Sequence, residues 1–154
     1  MAFLRFFTLA TLLLLITPAQ TGAAPLSTNY FSLDTPADWV IVQGPKKEKG
    51  AVHVLLGQKD HKCSAALTVG PCVPGDAEKA AQNGSKTLGG TPPAARNGQI
   101  EFTFDKNGVN GHAIVREDTQ AKLLLVLIIA GDAKQADFVY AMRSPYKNLV
   151  PRRP

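Results

Sequence analysis

The sequence predicts a small α+β domain built on an antiparallel β-sheet flanked by helices, and three observations carry that prediction. Short alternating apolar segments follow one another closely between residues 31 and 69, a helical stripe begins at Asp76, and a second group of strands from Ile100 ends in another helical stripe after Asp132. Strands joined by such short turns pair antiparallel, because parallel neighbours need a crossover of about a dozen residues or more.

The chain opens on an export signal. Arg5 supplies a positive start, Leu9 to Ile16 an apolar run, and small residues gather at Thr21-Gly22-Ala23-Ala24. The run is shorter than the ~18 to 20 apolar residues of a membrane span and is broken by Pro18. Cleavage is expected after Ala23, since a cut after Ala24 would place Pro25 directly behind it. No cysteine precedes Cys63, so no lipid anchor is expected, and the absence of a twin arginine points to the general secretion route. The expected plan is a signal peptide over 1–23, one α+β domain over 24–146 and a mobile basic tail over 147–154. The mature protein is then soluble and periplasmic or secreted, with no stable membrane anchor.

After the leader about 130 residues remain, enough for one ordinary domain with a real core. Phe31 and Leu33 alternate with polar neighbours, Thr35-Pro36-Ala37-Asp38 turns the chain, and Trp39 to Val42 is the next strand. Gly44-Pro45 and the following lysines read as a loop. Ala51 to Leu56 puts Val52, Val54 and Leu56 on one face; after the turn Gln58 to Lys62, Ser64 to Val69 aligns Ala65, Leu67 and Val69. Asp76 is the expected N-cap of a weakly apolar helix, with Ala77, Ala80, Ala81 and Leu88 in phase and Gly84 inside, ending at Gly89-Gly90. Thr91 to Asn97 should be a loop.

Ile100, Phe102 and Phe104 then face one way, and Glu101, Thr103 and Asp105 the other. Asn107-Gly108 and Asn110-Gly111 are turn signals before the return strand Ala113 to Arg116. The continuous apolar run Leu123 to Ile129 predicts a central strand covered on both faces. Asp132 should cap a closing helix with Ala136, Val139, Tyr140 and Arg143 on one side, stopped by Pro145.

The segments Phe31-Ser-Leu-Asp-Thr-Pro-Ala-Asp-Trp39 and Gly89-Gly90-Thr91-Pro92, set in this order of strands and helices, resemble the Mog1/PsbP-like superfamily, particularly its small exported bacterial members. The resemblance implies an antiparallel sheet in an α/β/α sandwich. It also implies a binding or assembly role, since one group of relatives binds a small GTPase and another supports a photosynthetic complex. Neither partner transfers, because no residue set here matches a known binding motif.

Cys63 and Cys72 are the best-defined chemical pair. In an oxidising compartment they are expected to form a disulfide closing a ten-residue loop, worth about 2.5 to 3 kcal/mol on the chain-entropy model. The spacing is wrong for a redox Cys-x-x-Cys pair. The competing expectation is a small metal-binding, redox or hydrolytic protein using His61, Cys63 and Cys72, completed by His53 or His112. No Gly-x-Ser-x-Gly elbow occurs, and Gly84-Ser85-Lys86-Thr87 lacks the glycine before lysine that a phosphate loop requires. Glu101 and Asp105 lie about 13 Å apart along one strand face and read as solvated, while His53 and His112 read as half-exposed.

The formal charge of +5 falls by one when Arg5 leaves with the signal, and the basic residues cluster at Lys46-Lys47-Glu48-Lys49, Lys59 to Lys62 and Arg152-Arg153. Without aromatics interleaved on a basic face, nucleic acid is not the expected partner. The expectation is a non-catalytic envelope binding or accessory protein without cofactor, whose Lys46, Lys47, Lys49, Lys59 and Lys62 meet a protein or an anionic envelope component.

Overall fold

A computed structural model describes residues 24–154. The expected signal peptide over 1–23 lies outside the described residues. The body is a seven-stranded sheet of order β3-β4-β5-β9-β8-β7-β6 in which every neighbouring pair is antiparallel. Its strands are β3 (Trp39–Glu48), β4 (Ala51–Gln58), β5 (Cys63–Pro71), β6 (Ala94–Arg96), β7 (Gln99–Lys106), β8 (Val109–Asp118) and β9 (Leu123–Gly131). A separate hairpin precedes them, β1 (Ala24–Ser27) with β2 (Ser32–Thr35). The expected run Leu123 to Ile129 is indeed central, lying between β5 and β8.

Alternation along the strands sorts residues onto two faces. On the first, Val54, Leu56, Leu67, Val69, Leu125, Leu127 and Ile129 pack against Leu26, Phe31, Leu33 and Trp39 from the N-terminal segment and Val139, Met142 and Leu149 from the C-terminal one. Trp39 meets Phe138 edge-on with ring centroids 4.9 Å apart. On the second face lies α1 (Asp76–Leu88), whose Ala77 and Ala81 sit on Val115 beside Ile100 and Val126. Gly84 fits because a Cβ there would reach within 3.1 Å of the Phe102 ring. A helix is about 10 to 12 Å wide and strands are about 4.8 Å apart, so one helix covers two or three strands. α1 rests on β7 and β8, touches β9 at its margin, and leaves the second face of β3, β4 and β5 bare.

Several elements differ from the sequence expectation. Gly44-Pro45 is not a loop: β3 runs through it by breaking register between Ile41 and Gln43 and again between Gln43 and Lys46. Asp76 is the first helical residue rather than the cap, and its carboxylate accepts from the Val73 N–H at 2.9 Å, bracing the preceding turn. Asn107-Gly108 is the β7–β8 turn, with both residues at positive φ. Asn110-Gly111 lies inside β8 instead, where a Cβ at Gly111 would collide with the Phe104 ring. Asp132 does cap the closing segment, accepting from the Lys134 N–H at 3.1 Å, but Ala133–Ala141 is a 3-10 run kinked at Ala136. Only one α-helix therefore flanks the sheet among the described residues.

The expected mobile tail is docked. Leu149 is 1% exposed in a second 3-10 turn, Lys147–Leu149. The Gln99 amide accepts from the Arg152 N–H at 2.9 Å and donates to the Arg152 carbonyl at 2.8 Å, a two-way bond that substitutes for a strand neighbour. The proline–arginine composition hid this, because the partner is a side chain far away in sequence.

The disulfide expectation also fails. Cys63 and Cys72 are both free and buried. They stand at opposite ends of β5, and a strand of that length spans about 30 Å against the ~4.4 to 6.8 Å between Cα atoms that a bridge needs. Turn residues between the cysteines would have allowed closure; a straight strand does not.

Two predictions follow this geometry. Alkylation in denaturant without reductant should add two labels to the intact mass, whereas an unlabelled species two hydrogens light would restore the bridge. Leu127→Ala, which empties the covered first face, should lower unfolding stability by about 2 to 5 kcal/mol, while Leu55→Ala on the bare second face should cost less than about 1 kcal/mol in the same urea titration.

Candidate functional site

Two places gather chemistry, one on each face. The first grows from the β7–β8 hairpin. Alternation turns Ile100, Phe102 and Phe104 toward α1 and Glu101 and Thr103 away from it, and register sets Thr103 opposite His112 and Glu101 opposite Ile114. Glu101 and His112 thereby become diagonal neighbours, 6% and 9% exposed. Their Oε2 and Nε2 atoms are 3.6 Å apart, a close polar approach too long for a strong hydrogen bond. The other carboxylate oxygen accepts from the Gln99 amide.

Burial pushes the His112 imidazole below its ordinary value of 6.5, and the charge and hydrogen bonding of Glu101 only partly oppose that shift. The pair borders a cleft of about 310 Å³ that Thr91, Pro92, Arg96 and Thr103 also line. Thr91 Oγ1 accepts from the Thr103 N–H at 3.1 Å, so one of the two hydroxyls is already engaged with the strand. The cleft offers a carboxylate beside a neutral imidazole, able to hold or exchange a proton with a bound molecule. Behind it Arg116, 4% exposed, donates through Nε to the Asn148 carbonyl, and burial, with Arg152 nearby, pushes its guanidinium down from the usual arginine range.

This cluster departs from the sequence reading. Glu101 is buried rather than solvated, while Asp105 stays exposed and accepts from the Gly108 N–H in the turn. His112 is buried, but His53 is half-exposed and bonded to Thr68 at 3.0 Å. Alternation placed Glu101 on the polar face correctly; nothing local showed that the C-terminal segment would cover that face.

The expected His61, Cys63 and Cys72 set is not a site. His61 is exposed in the β4–β5 turn at positive φ, Cys63 is buried with its sulfur 3.4 Å from the Asp132 carbonyl, and Cys72 is at the far end of β5. Burial first, then Asp132, pushes the Cys63 thiol up; burial and then Glu117 do the same at Cys72. Both are poor nucleophiles. Among the described residues no three His, Cys, Asp or Glu side chains stand together as metal ligands.

The second place is the bare half of the second face. Register aligns Leu55 with Ala66, and Gly57 with Ser64; an open trough of about 290 Å³ runs over Leu55, Gly57, Ser64 and Ala130, with Val42 and Val109 as walls. Lys46, Lys47, Lys49, Lys59 and Lys62 are all exposed on the β3 edge and the turns at its two ends. Lys46 pairs with Glu48 at 3.6 Å and Lys62 with Asp60 at 3.3 Å, while Lys47, Lys49 and Lys59 have no ion pair among the described residues. Of the five lysines only Lys62 lines the trough; Lys59 lies in the same β4–β5 turn, and Lys46, Lys47 and Lys49 lie at the opposite end of the β3–β4 hairpin.

Among the described residues no helix is long and apolar enough to cross a membrane. No family model matches the chain. No curated protein matches it either. Its structure is similar to the solution structure of cyanobacterial PsbP (CyanoP) from Synechocystis sp. PCC 6803, at 12% identity and a TM-score of 0.48, covering 83% of this chain and 95% of that one. The likeness carries no residue role across.

The depressed His112 pKa fixes a sign. Between the folded value and 6.5 the unfolded chain binds the extra proton and the folded one does not, so stability falls as pH drops through that window. The urea midpoint of the wild type should therefore decline more steeply from pH 7 to pH 5 than that of His112→Gln. Equal slopes would show that His112 titrates alike in both states.

Proposed function

We propose that this chain is an exported, non-catalytic binding or assembly-accessory protein of the cell envelope, working in the periplasm or outside the cell. The observation that supports this most directly is the bare half-face of β3, β4 and β5, an apolar trough lined by Lys62 in a hairpin whose edge and turns carry four further exposed lysines. Apolar surface left uncovered beside exposed lysines matches the anatomy of a docking site, in which the dry centre supplies binding energy and the charged margin supplies orientation and on-rate. Its partner would be a protein or an anionic envelope component. The leader motif from Arg5 to Ala23 supports the address, and cleavage after Ala23 would leave a chain that begins at β1.

The reading sets a measurable expectation for the lysines without ion pairs. The combined reversal Lys47→Glu, Lys49→Glu and Lys59→Glu should reduce partner recovery by chemical cross-linking in the native compartment about tenfold, equivalent to ~1.4 kcal/mol, with circular dichroism unchanged. Raising salt toward 1 M should weaken wild-type capture in the same direction, since the screening length contracts to about 3 Å. Recovery that ignores both changes would remove the lysines from the interface.

A further inference from the structure

β3 is an edge of the sheet, so the outward main-chain groups of that strand have no strand partner. Proteins blunt free edges with bulges, proline and lysine, and β3 uses all three, but only from Val42 onward. Both register breaks fall after Ile41, and Pro45, Lys46 and Lys47 follow them. Trp39 to Ile41 keep a regular register and carry none of these devices, and Val42 is the extra residue of the first break. There Val40, Ile41 and Val42 are 42%, 40% and 59% exposed in succession. The start of the strand is firmly held: Trp39 is 4% exposed, its N–H donates to the Pro36 carbonyl at 3.0 Å, and the Lys59 N–H donates to the Asp38 carbonyl at 2.8 Å. Three β-branched or valine-like side chains on a rigid free edge make a template for another strand.

The charges indicate which strand. Trp39 is opposite Gln58 and Lys47 opposite Val52, so Lys59 lies at the beginning of β3, while Lys47 and Lys49 lie at its end. The apolar run is therefore bracketed by cations roughly 25 Å apart. These are the three lysines with no ion pair among the described residues, whereas Lys46 and Lys62 have their own carboxylates.

We infer that the β3 edge takes an extended acidic segment of a partner protein as an eighth strand. The segment's main chain adds to the ladder along Trp39 to Ile41, ahead of the bulge, its apolar side chains meet Val40, Ile41 and Val42, and carboxylates at its two ends meet Lys59 on one side and Lys47 and Lys49 on the other. About eight extended residues span that distance. The inference rests on the binding reading above and gives it a docking mode and a partner chemistry. An anionic lipid surface would use the same lysines but offers no strand to pair with the edge.

The purified protein would be titrated with a synthetic peptide bearing Asp-Glu pairs at both ends of an alternating valine–threonine centre, and amide hydrogen exchange read in the free and bound states. The Ile41 amide, the outward one ahead of the bulge, should slow about tenfold or more, because only every second N–H of an edge strand points outward and the Trp39 N–H is already bonded to the Pro36 carbonyl. Val40→Lys with Val42→Lys should weaken binding about tenfold with little change in thermal midpoint, as both positions are exposed. Equal affinity for a peptide with lysine ends would overturn the charge complementarity. Peptide binding without protection at Ile41, or lysine-dependent binding to phosphatidylglycerol vesicles with no peptide binding, would overturn strand addition and leave a binding protein of another mode. Loss of strand addition together with failure of the cross-linking experiment would remove the binding reading itself.

Discussion

Nine residue pairs join β5 to β9, from Cys63 opposite Gly131 to Pro71 opposite Leu123, and the sheet has no centre until that ladder closes. α1, β6, β7 and β8 all lie between the two strands in sequence, so the pairing is a long-range contact whose loop-closure entropy must be met by burial. Ala65, Leu67 and Val69 with Leu125, Leu127 and Ile129 provide it, each fully buried on the first face. A slip of one residue would exchange these for the half-buried alternate set. The same ladder holds β5 straight, keeping Cys63 and Cys72 at opposite ends of one strand, and inserts β9 between two hairpin systems that are otherwise local.

Cover over this sheet is uneven, and the unevenness is where function concentrates. The first face is sealed by segments from both ends of the described chain, which meet at Trp39 and Phe138 and again where Ser32 and Arg143 form an isolated bridge. The second has only α1, an alanine-rich helix that reaches β9 and stops. Leu55, Ala66 and Gly57 therefore floor an open surface although their strands are as regular as any in the sheet. Lys62 on its lining and the lysines at the ends of β3 leave it open.

On the other side the C-terminal segment does what a further helix would have done, but over polar residues. Gln99 grips the Arg152 main chain, Arg116 grips the Asn148 carbonyl, and Glu101 with His112 is left beside a cleft under that cover. Buried polar groups are tolerable when hydrogen-bonded, and most of this cluster is. The pressure of burial shows in the depressed His112 pKa, which keeps the imidazole neutral beside a carboxylate.

Strand periods, the Asn107-Gly108 turn, the Asp132 cap and the central position of Leu123 to Ile129 were legible in the sequence, because each depends on residues within a few positions of one another. The lysine clusters were legible for the same reason. The disulfide, the loose tail, the second α-helix and the solvated Glu101 were misread, because each turned on a partner remote in sequence: the β9 ladder for the cysteines, Gln99 for Arg152, and the C-terminal cover for Glu101. By itself the sequence determined which residues could form strands, helices and turns and where its positive charge lay. Only the tertiary structure decided which strand became a free edge, which half-face stayed bare and which polar side chains were buried, since those are properties of long-range register and of how far one short helix can reach.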